Sequence, residues 1–129
     1  MKGYVDDIEK ATEDNDDYRR VVYTGKHLQL VLMTLQPGEQ IGEEVHETHD
    51  QFFRFEKGDG EVLIDGVTHA IKADFGVIVP AGARHNVINT GHTPLRLYTL
   101  YGPPEHRDGV LQPTKADETE EHFDGTTTE

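Results

Sequence analysis

Two short stretches of this 129-residue chain gather the side chains that could do chemistry: Glu44-Val45-His46-Glu47-Thr48-His49-Asp50-Gln51 and Pro80-Ala81-Gly82-Ala83-Arg84-His85-Asn86-Val87-Ile88-Asn89. Each sets imidazole, carboxylate or amide groups into otherwise strand-like sequence, and the two lie too far apart to form one local motif. Brought together by a fold, they would make a metal site. Side chains alternate between the faces of a strand, so Glu44 and His46 point the same way with Val45 opposite, Gln51 shares a face with Phe53 and Phe55, and His85 shares one with Val87 and Asn89. If these faces are the interior of a closed sandwich, four donors project into one cavity: Glu44, His46, Gln51 and His85. His49 is a rival donor in place of Glu44 or Gln51, although Glu47-Thr48-His49-Asp50 has the composition of a turn. The competing reading is two buried histidines satisfied by hydrogen bonds, with no metal.

The elements that must position these donors read as strands. Arg19 to Thr24, His27 to Leu35, Gln51 to Glu56, Gly60 to Ile64, Val67 to Ile71, Phe75 to Val79, His85 to Asn89 and Leu95 to Tyr101 are short runs rich in β-branched, aromatic and aliphatic residues, separated by glycine and proline. Asp65-Gly66 is a strong hairpin signal, because both central residues of the favoured turn take positive φ. Val5 to Asn15 supports at most one short helix or turn. Leu28, Leu30 and Leu32 share one face of their strand, Phe52, Phe53, Phe55 and Phe75 read as core, and Tyr98 and Tyr101 fall on opposite faces. After Gly102-Pro103-Pro104 the chain from His106 to Pro113 can run extended outside the sandwich. Residues 115–129 are acidic and poor in large apolar groups, which predicts a solvated tail. The expected organisation is an acidic N-terminal segment (1–17), an all-β sandwich or barrel (18–113) and an acidic C-terminal tail (114–129).

The formal charge of −13 is concentrated at the ends: residues 1–17 hold seven acids against two lysines, residues 114–129 hold six acids against one lysine, and the middle contributes only −3. No basic stripe is present to neutralise phosphates, so nucleic acid is not an expected partner. No apolar run reaches the ~20 residues of a membrane span, and Met1 to Asp7 lacks the apolar core of a signal peptide. The absence of cysteine excludes disulfides, thiolate metal sites and cysteine nucleophiles. Together these features predict a cytoplasmic protein without a membrane partner.

The second stretch resembles the second motif of the cupins, small jelly-roll β-barrels with two metal-binding motifs. Its proline, glycine, histidine and asparagine stand at Pro80, Gly82, His85 and Asn89 in the family's spacing. Counting back from Gly58, the first motif's glutamate position is Gln51, its second histidine is His46 and its first histidine position is Glu44. A glycine usual six residues before the proline is Asp74 here. The resemblance, over Leu28 to Tyr101, implies a jelly roll and a divalent transition metal (Fe, Mn, Ni or Zn) at Glu44, His46, Gln51 and His85. Although glutamate and glutamine depart from the family pattern, the set keeps two histidines and one carboxylate. Single-domain cupins of this look are similar to sugar-isomerase-like and small metal-dependent lyase proteins, the class placed first; a non-haem Fe(II) dioxygenase and a non-catalytic small-molecule binding module are the alternatives. Glu44, if not a ligand, is the candidate general base, with Arg84 or Tyr101 as substrate-orienting groups. His27, His69, His92, His106 and His122 have no assigned role. The long apolar strand Leu28 to Leu35 further predicts a homodimer with Tyr18 to Leu35 at its interface.

Overall fold

A computed structural model describes the whole chain, Met1 to Glu129. One helix, α1 (Ile8–Asp14), precedes ten strands: β1 (Arg19–Thr24), β2 (Gln29–Leu35), β3 (Glu44–Val45), β4 (Asp50–Lys57), β5 (Asp59–Ile64), β6 (Val67–Lys72), β7 (Gly76–Val79), β8 (Arg84–Ile88), β9 (Leu95–Gly102) and β10 (Leu111–Gln112). They form a six-stranded sheet, β10-β1-β2-β9-β4-β7, and a four-stranded sheet, β3-β8-β5-β6. All pairings between the strands are antiparallel. This is the expected jelly roll. The lone helix is seven residues long, and no helix is long and apolar enough to cross a membrane.

The local rules explain the elements. Asp7 caps α1 by accepting from the Lys10 amide at 3.1 Å, and the helix ends at Asn15, whose backbone is extended. Asp65 and Gly66 take φ of 47° and 82°, the pair of positive values that a tight hairpin between β5 and β6 demands. Asp74, standing where the family has glycine, also has a positive φ, 74°, so the backbone requirement survives the substitution. Gly58 is fixed by crowding as well as by its φ of 91°, since a Cβ there would lie 2.7 Å from the Pro94 carbonyl oxygen.

The two sheets enclose a core in which Val31, Met33, Phe53, Phe55, Leu95 and Leu97 face Val62, Ile71 and Val87. In the larger sheet the inward rows change character along the strands. Met33, Leu97 and Phe55 stand side by side in one row, whereas Gln29, Tyr101 and Gln51 stand side by side in another. The barrel therefore has a polar interior at one end. Phe53 and Phe55 are core as expected, but Phe52 is half-buried on the outer face against Tyr98, and Phe75 is 41 % exposed. Phe75 precedes β7, an edge strand, where only one side of the residue can find packing partners. Leu30 and Leu32 do share a face, but the core cluster takes Val31 and Met33 from β2 instead. Leu32 borders a surface groove with Tyr4, Ala11 and Val22 and is buried, so part of the sheet's outer side is covered within the chain.

The end of the chain departs from the expected solvated tail. Its side chains are mostly exposed, but its backbone is docked. Before it, β10 pairs with β1 within the stretch from His106 to Pro113, expected to run extended; in the tail itself His122 bridges to His106, the Phe123 amide donates to Glu105 O at 3.0 Å, and the Thr128 amide donates to Thr24 O at 2.9 Å. Composition missed this because the strap is held by backbone bonds and ion pairs rather than by apolar burial.

Candidate metal centre

The two chemistry-bearing stretches meet across one sheet. β3 pairs with β8 so that Glu44 lies opposite His85. The turn preceding β8 also grips the segment after β3: the Gly82 amide donates to His46 O at 2.8 Å, and the Ala81 amide donates to Asp50 Oδ1 at 2.9 Å. Gly82 makes that approach with φ of 89°. The motif asparagine has a different task. Buried Asn89 donates to Leu35 O and Thr93 O, both at 2.9 Å, and accepts from the Gly91 amide, tying the β8–β9 connection to the end of β2.

Ligand-capable atoms of Glu44, His46 and His85 lie within 4.8 Å of one another. His85 is buried and its Nδ1 donates to Ala83 O at 3.1 Å, which leaves the Nε2 lone pair free. Burial also holds its pKa below the ordinary imidazole value. Glu44 Oε2 and His46 Nε2 stand 2.8 Å apart, yet His46 Nε2 is buried without a hydrogen-bond partner. The pair has the separation of a hydrogen bond without its alignment, as two donors do when both aim at a third point. Burial depresses the basicity of His46, but the carboxylates of Glu44 and Glu105 outweigh it and leave the pKa raised.

Gln51 joins this set on its own evidence. It is 3 % exposed, its Nε2 donates to Thr99 Oγ1 at 3.0 Å, and its Oε1 is buried with no partner at all. An orphaned amide oxygen costs on the order of 1–3 kcal/mol unless something meets it. The orphaned Gln51 oxygen, His46 Nε2 beside the Glu44 carboxylate, and a free His85 Nε2 are together a donor set that fits a divalent ion.

Other candidates fall elsewhere. His49 is committed at both nitrogens, Nδ1 to Pro103 O at 2.7 Å and Nε2 to Glu105 Oε2 at 2.8 Å, so the rival donor is occupied. Arg84 points outward and pairs with Glu43 at 2.8 Å, with its side chain 65 % exposed. Tyr101 is inside, with its ring 5.8 Å from that of His46, whereas Tyr98 lies on the other face. Burial pushes the Tyr101 phenol well above its usual range.

A cavity of about 370 Å³ opens beside the cluster, bordered by Glu44 and His46 and by Arg19, Glu105, His106 and Glu118. None of the last four stood out as a functional candidate in the sequence. Glu105 gathers three histidines: His49 at 2.8 Å, His122 at 3.3 Å, and His46 Nδ1 at 3.7 Å, where it sits behind the ring that faces the cluster. His106, expected to be exposed and without a role, packs against Tyr101 with its Nε2 3.3 Å from the phenol oxygen. A signal for Arg19 does exist in the sequence. Arg19 and Arg20 are adjacent in a strand, so one of them must face the interior.

The Cupin domain model matches residues 31–101. The chain belongs to the cupin family. Glu44, His46, Gln51 and His85 all fall within the matched span, whereas Arg19, Glu105, His106 and Glu118 lie outside it. This cupin is 45 % identical over 122 residues to the uncharacterized protein YrkC of Bacillus subtilis (strain 168), covering 90 % of this chain and 66 % of that protein. It is 40 % identical over 112 residues to the uncharacterized protein L612 of Acanthamoeba polyphaga mimivirus, covering 84 % of this chain and 70 % of that one. Among solved structures it is similar to BH2720 from Bacillus halodurans, with a TM-score of 0.88, 42 % identity and coverage of 90 % of this chain and 92 % of that chain.

Proposed function

We propose that this cupin holds one divalent transition ion through Glu44, His46, Gln51 and His85, and acts as a metal-dependent enzyme of sugar-isomerase-like or lyase type on a small oxygenated molecule. The observation that carries the reading is the convergence of Glu44, His46 and His85 beside the buried Gln51 Oε1, which has no hydrogen-bond partner in the protein. A bound divalent ion supplies Lewis acidity toward a carbonyl or hydroxyl oxygen. The protein's own residues do the rest. Ala83 O fixes the His85 tautomer, Glu105 stands behind His46, and Thr99 turns the Gln51 amide so that its oxygen is the free end. Glu44, with its side chain 31 % exposed at the edge of the cavity, is placed either to ligate or to take a proton from the molecule bound there. Two histidines and one carboxylate are also the donor set of non-haem iron oxygenases, which makes dioxygenase the second reading.

Metal analysis of the purified protein should find close to one divalent ion per chain. Oxygen uptake with iron bound and a panel of small oxygenated compounds present then separates the readings. Uptake moves dioxygenase ahead, isomerised or eliminated product supports the first reading, and binding without turnover identifies a non-catalytic binding module. For assembly we propose a homodimer with the segment Tyr18 to Leu35 at its interface, where Leu28 is 54 % exposed. Light scattering at micromolar concentration should give twice the chain mass, and a monomeric mass removes the proposal.

A further inference from the structure

Arg19 is an anomaly in the barrel. It is 3 % exposed and occupies an inward position of β1, paired across the sheet with Met33. A guanidinium taken out of water costs several kcal/mol unless charge and hydrogen bonds offset it. The compensation is incomplete. Both of its hydrogen bonds leave from Nη1, to Gln112 Oε1 at 2.9 Å and to Glu118 Oε2 at 3.1 Å, and Nε is buried with no partner. The Nε and Nη2 side of the fork, the edge on which a carboxylate docks with two parallel bonds, is therefore uncommitted.

The surroundings say what that edge is for. Arg19 borders the same cavity as Glu44 and His46. The acids on that wall are already engaged. Glu105 takes three histidines, Glu121 pairs with Arg107, and Glu118 is held by Tyr18 and by Lys115, at 2.9 and 2.8 Å, as well as by Arg19. Glu44 belongs to the ligand cluster, and Glu120 stands out in solvent with its side chain 90 % exposed. Arg19 is the only Lys or Arg among the residues bordering the cavity, and it retains unused donors.

We infer that the molecule bound in this cavity carries a carboxylate, that the free edge of Arg19 receives it, and that Glu118 is the counter-charge that keeps Arg19 in place while the cavity is empty. This rests on the metal reading above only for what holds the far end of the molecule. The class it selects is small oxygenated carboxylates, with one oxygen group for the metal side and a carboxylate for Arg19. Arg19 is then a binding and positioning residue contributed from outside the span of the Cupin domain match.

The test uses 3-hydroxypropionate and its neutral amide, 3-hydroxypropionamide, which keep the same hydroxyl for the metal side and differ in the carboxylate, titrated calorimetrically into the 129-residue protein loaded with cobalt. Wild type should bind the acid roughly tenfold or more tighter than its amide, the usual gain of a charge-assisted pair. Arg19→Gln should erase that preference, and Arg19→Lys, which keeps the charge but not the fork, should retain part of it. Glu118→Gln should tighten the acid a few-fold by removing the competing carboxylate. The cobalt absorption spectrum before ligand is added should be the same in all four proteins. An Arg19→Gln protein that binds the acid like wild type with that spectrum intact overturns the inference and leaves the metal reading standing. So does a wild type that cannot tell the acid from its amide. Binding of the acid that depends on Arg19 in a protein that takes up no cobalt has the reverse meaning. If Arg19→Gln does not fold, Arg19→Lys and Glu118→Gln decide the question: both unchanged from wild type overturns it.

Discussion

The inner wall of the cavity and its outer rim are built by different means. Glu44, His46, Gln51 and His85 sit on or just beside strands, and the pairing of β3 with β8 and of β4 with β9 fixes their separations. Glu105, His106, Glu118 and His122 lie after the last long strand, in a strap held by ion pairs and scattered backbone bonds. Rigid elements hold a constellation more closely than a strap can, so the inner wall is suited to ligating an ion and the rim to orienting what lies behind or beside it. The rim is also the part with lower local stability, because few buried apolar contacts secure it.

This division can be broken most directly at the inner wall. His46→Ala together with His85→Ala should take metal content from about one ion per chain to below a tenth, because two of the three cluster donors are gone. The barrel should still fold, since Val31, Leu97 and Val87 carry the core and Phe53 alone among these four loses a ring neighbour, its ring lying 6.3 Å from that of His85. Full metal content in the double variant sinks the inner-wall assignment. The rim should respond more gently. Glu105→Gln leaves every cluster donor in place and removes only the charge behind His46 and between His49 and His122, so metal affinity should fall by roughly tenfold rather than vanish. A loss equal to that of the double variant would mean that Glu105 is itself a ligand and that the separation of wall from rim is false.

The same division explains what could be read from the chain. Alternation put Gln51 with Phe53 and Phe55, and His85 with Val87, on inward faces, and all five are buried. The Asp65-Gly66 turn and the strand limits follow from residues a few positions apart, so local sequence suffices for them. The metal set rested on a resemblance as well, since alternation alone left His49 open. It took the structure to show both nitrogens of His49 engaged with Pro103 and Glu105. The docking of residues 114–129 was illegible because Glu118 meets Arg19 and Tyr18 across about a hundred residues of chain, and acidic composition carries no sign of such a partner. Phe75 failed for the opposite reason: an aromatic before an edge strand looks like core until the order of strands is known.

The effect that probes the rim alone is the pH dependence set by His106. Its backbone is tied to Gln29 in both directions, donating from its amide to Oε1 at 2.9 Å and accepting at its carbonyl from Nε2 at 2.7 Å, while its ring packs on Tyr101 at 5.2 Å between centroids. Burial, then the positive charge of Arg19 and of His46, His122 and His49, pull its pKa from the ordinary 6.5 down to about 3. A histidine held neutral in the folded state takes up a proton more readily when unfolded. Below pH 6.5 the unfolded chain therefore binds more protons than the folded one, and stability is lost as the pH falls from there toward 3. Replacing His106 by Asn removes that dependence and keeps a polar group of similar reach. In chelator-treated protein, which takes metal loss out of the comparison, wild type should lose on the order of 1–2 kcal/mol relative to His106→Asn between pH 7 and pH 4.5, a figure already reduced for the ring's partial exposure. Thermal unfolding of both proteins across that range measures it. A difference that stays flat means that His106 titrates like a histidine in water, which would place the strap away from the barrel mouth in solution and leave the inner wall to act without it.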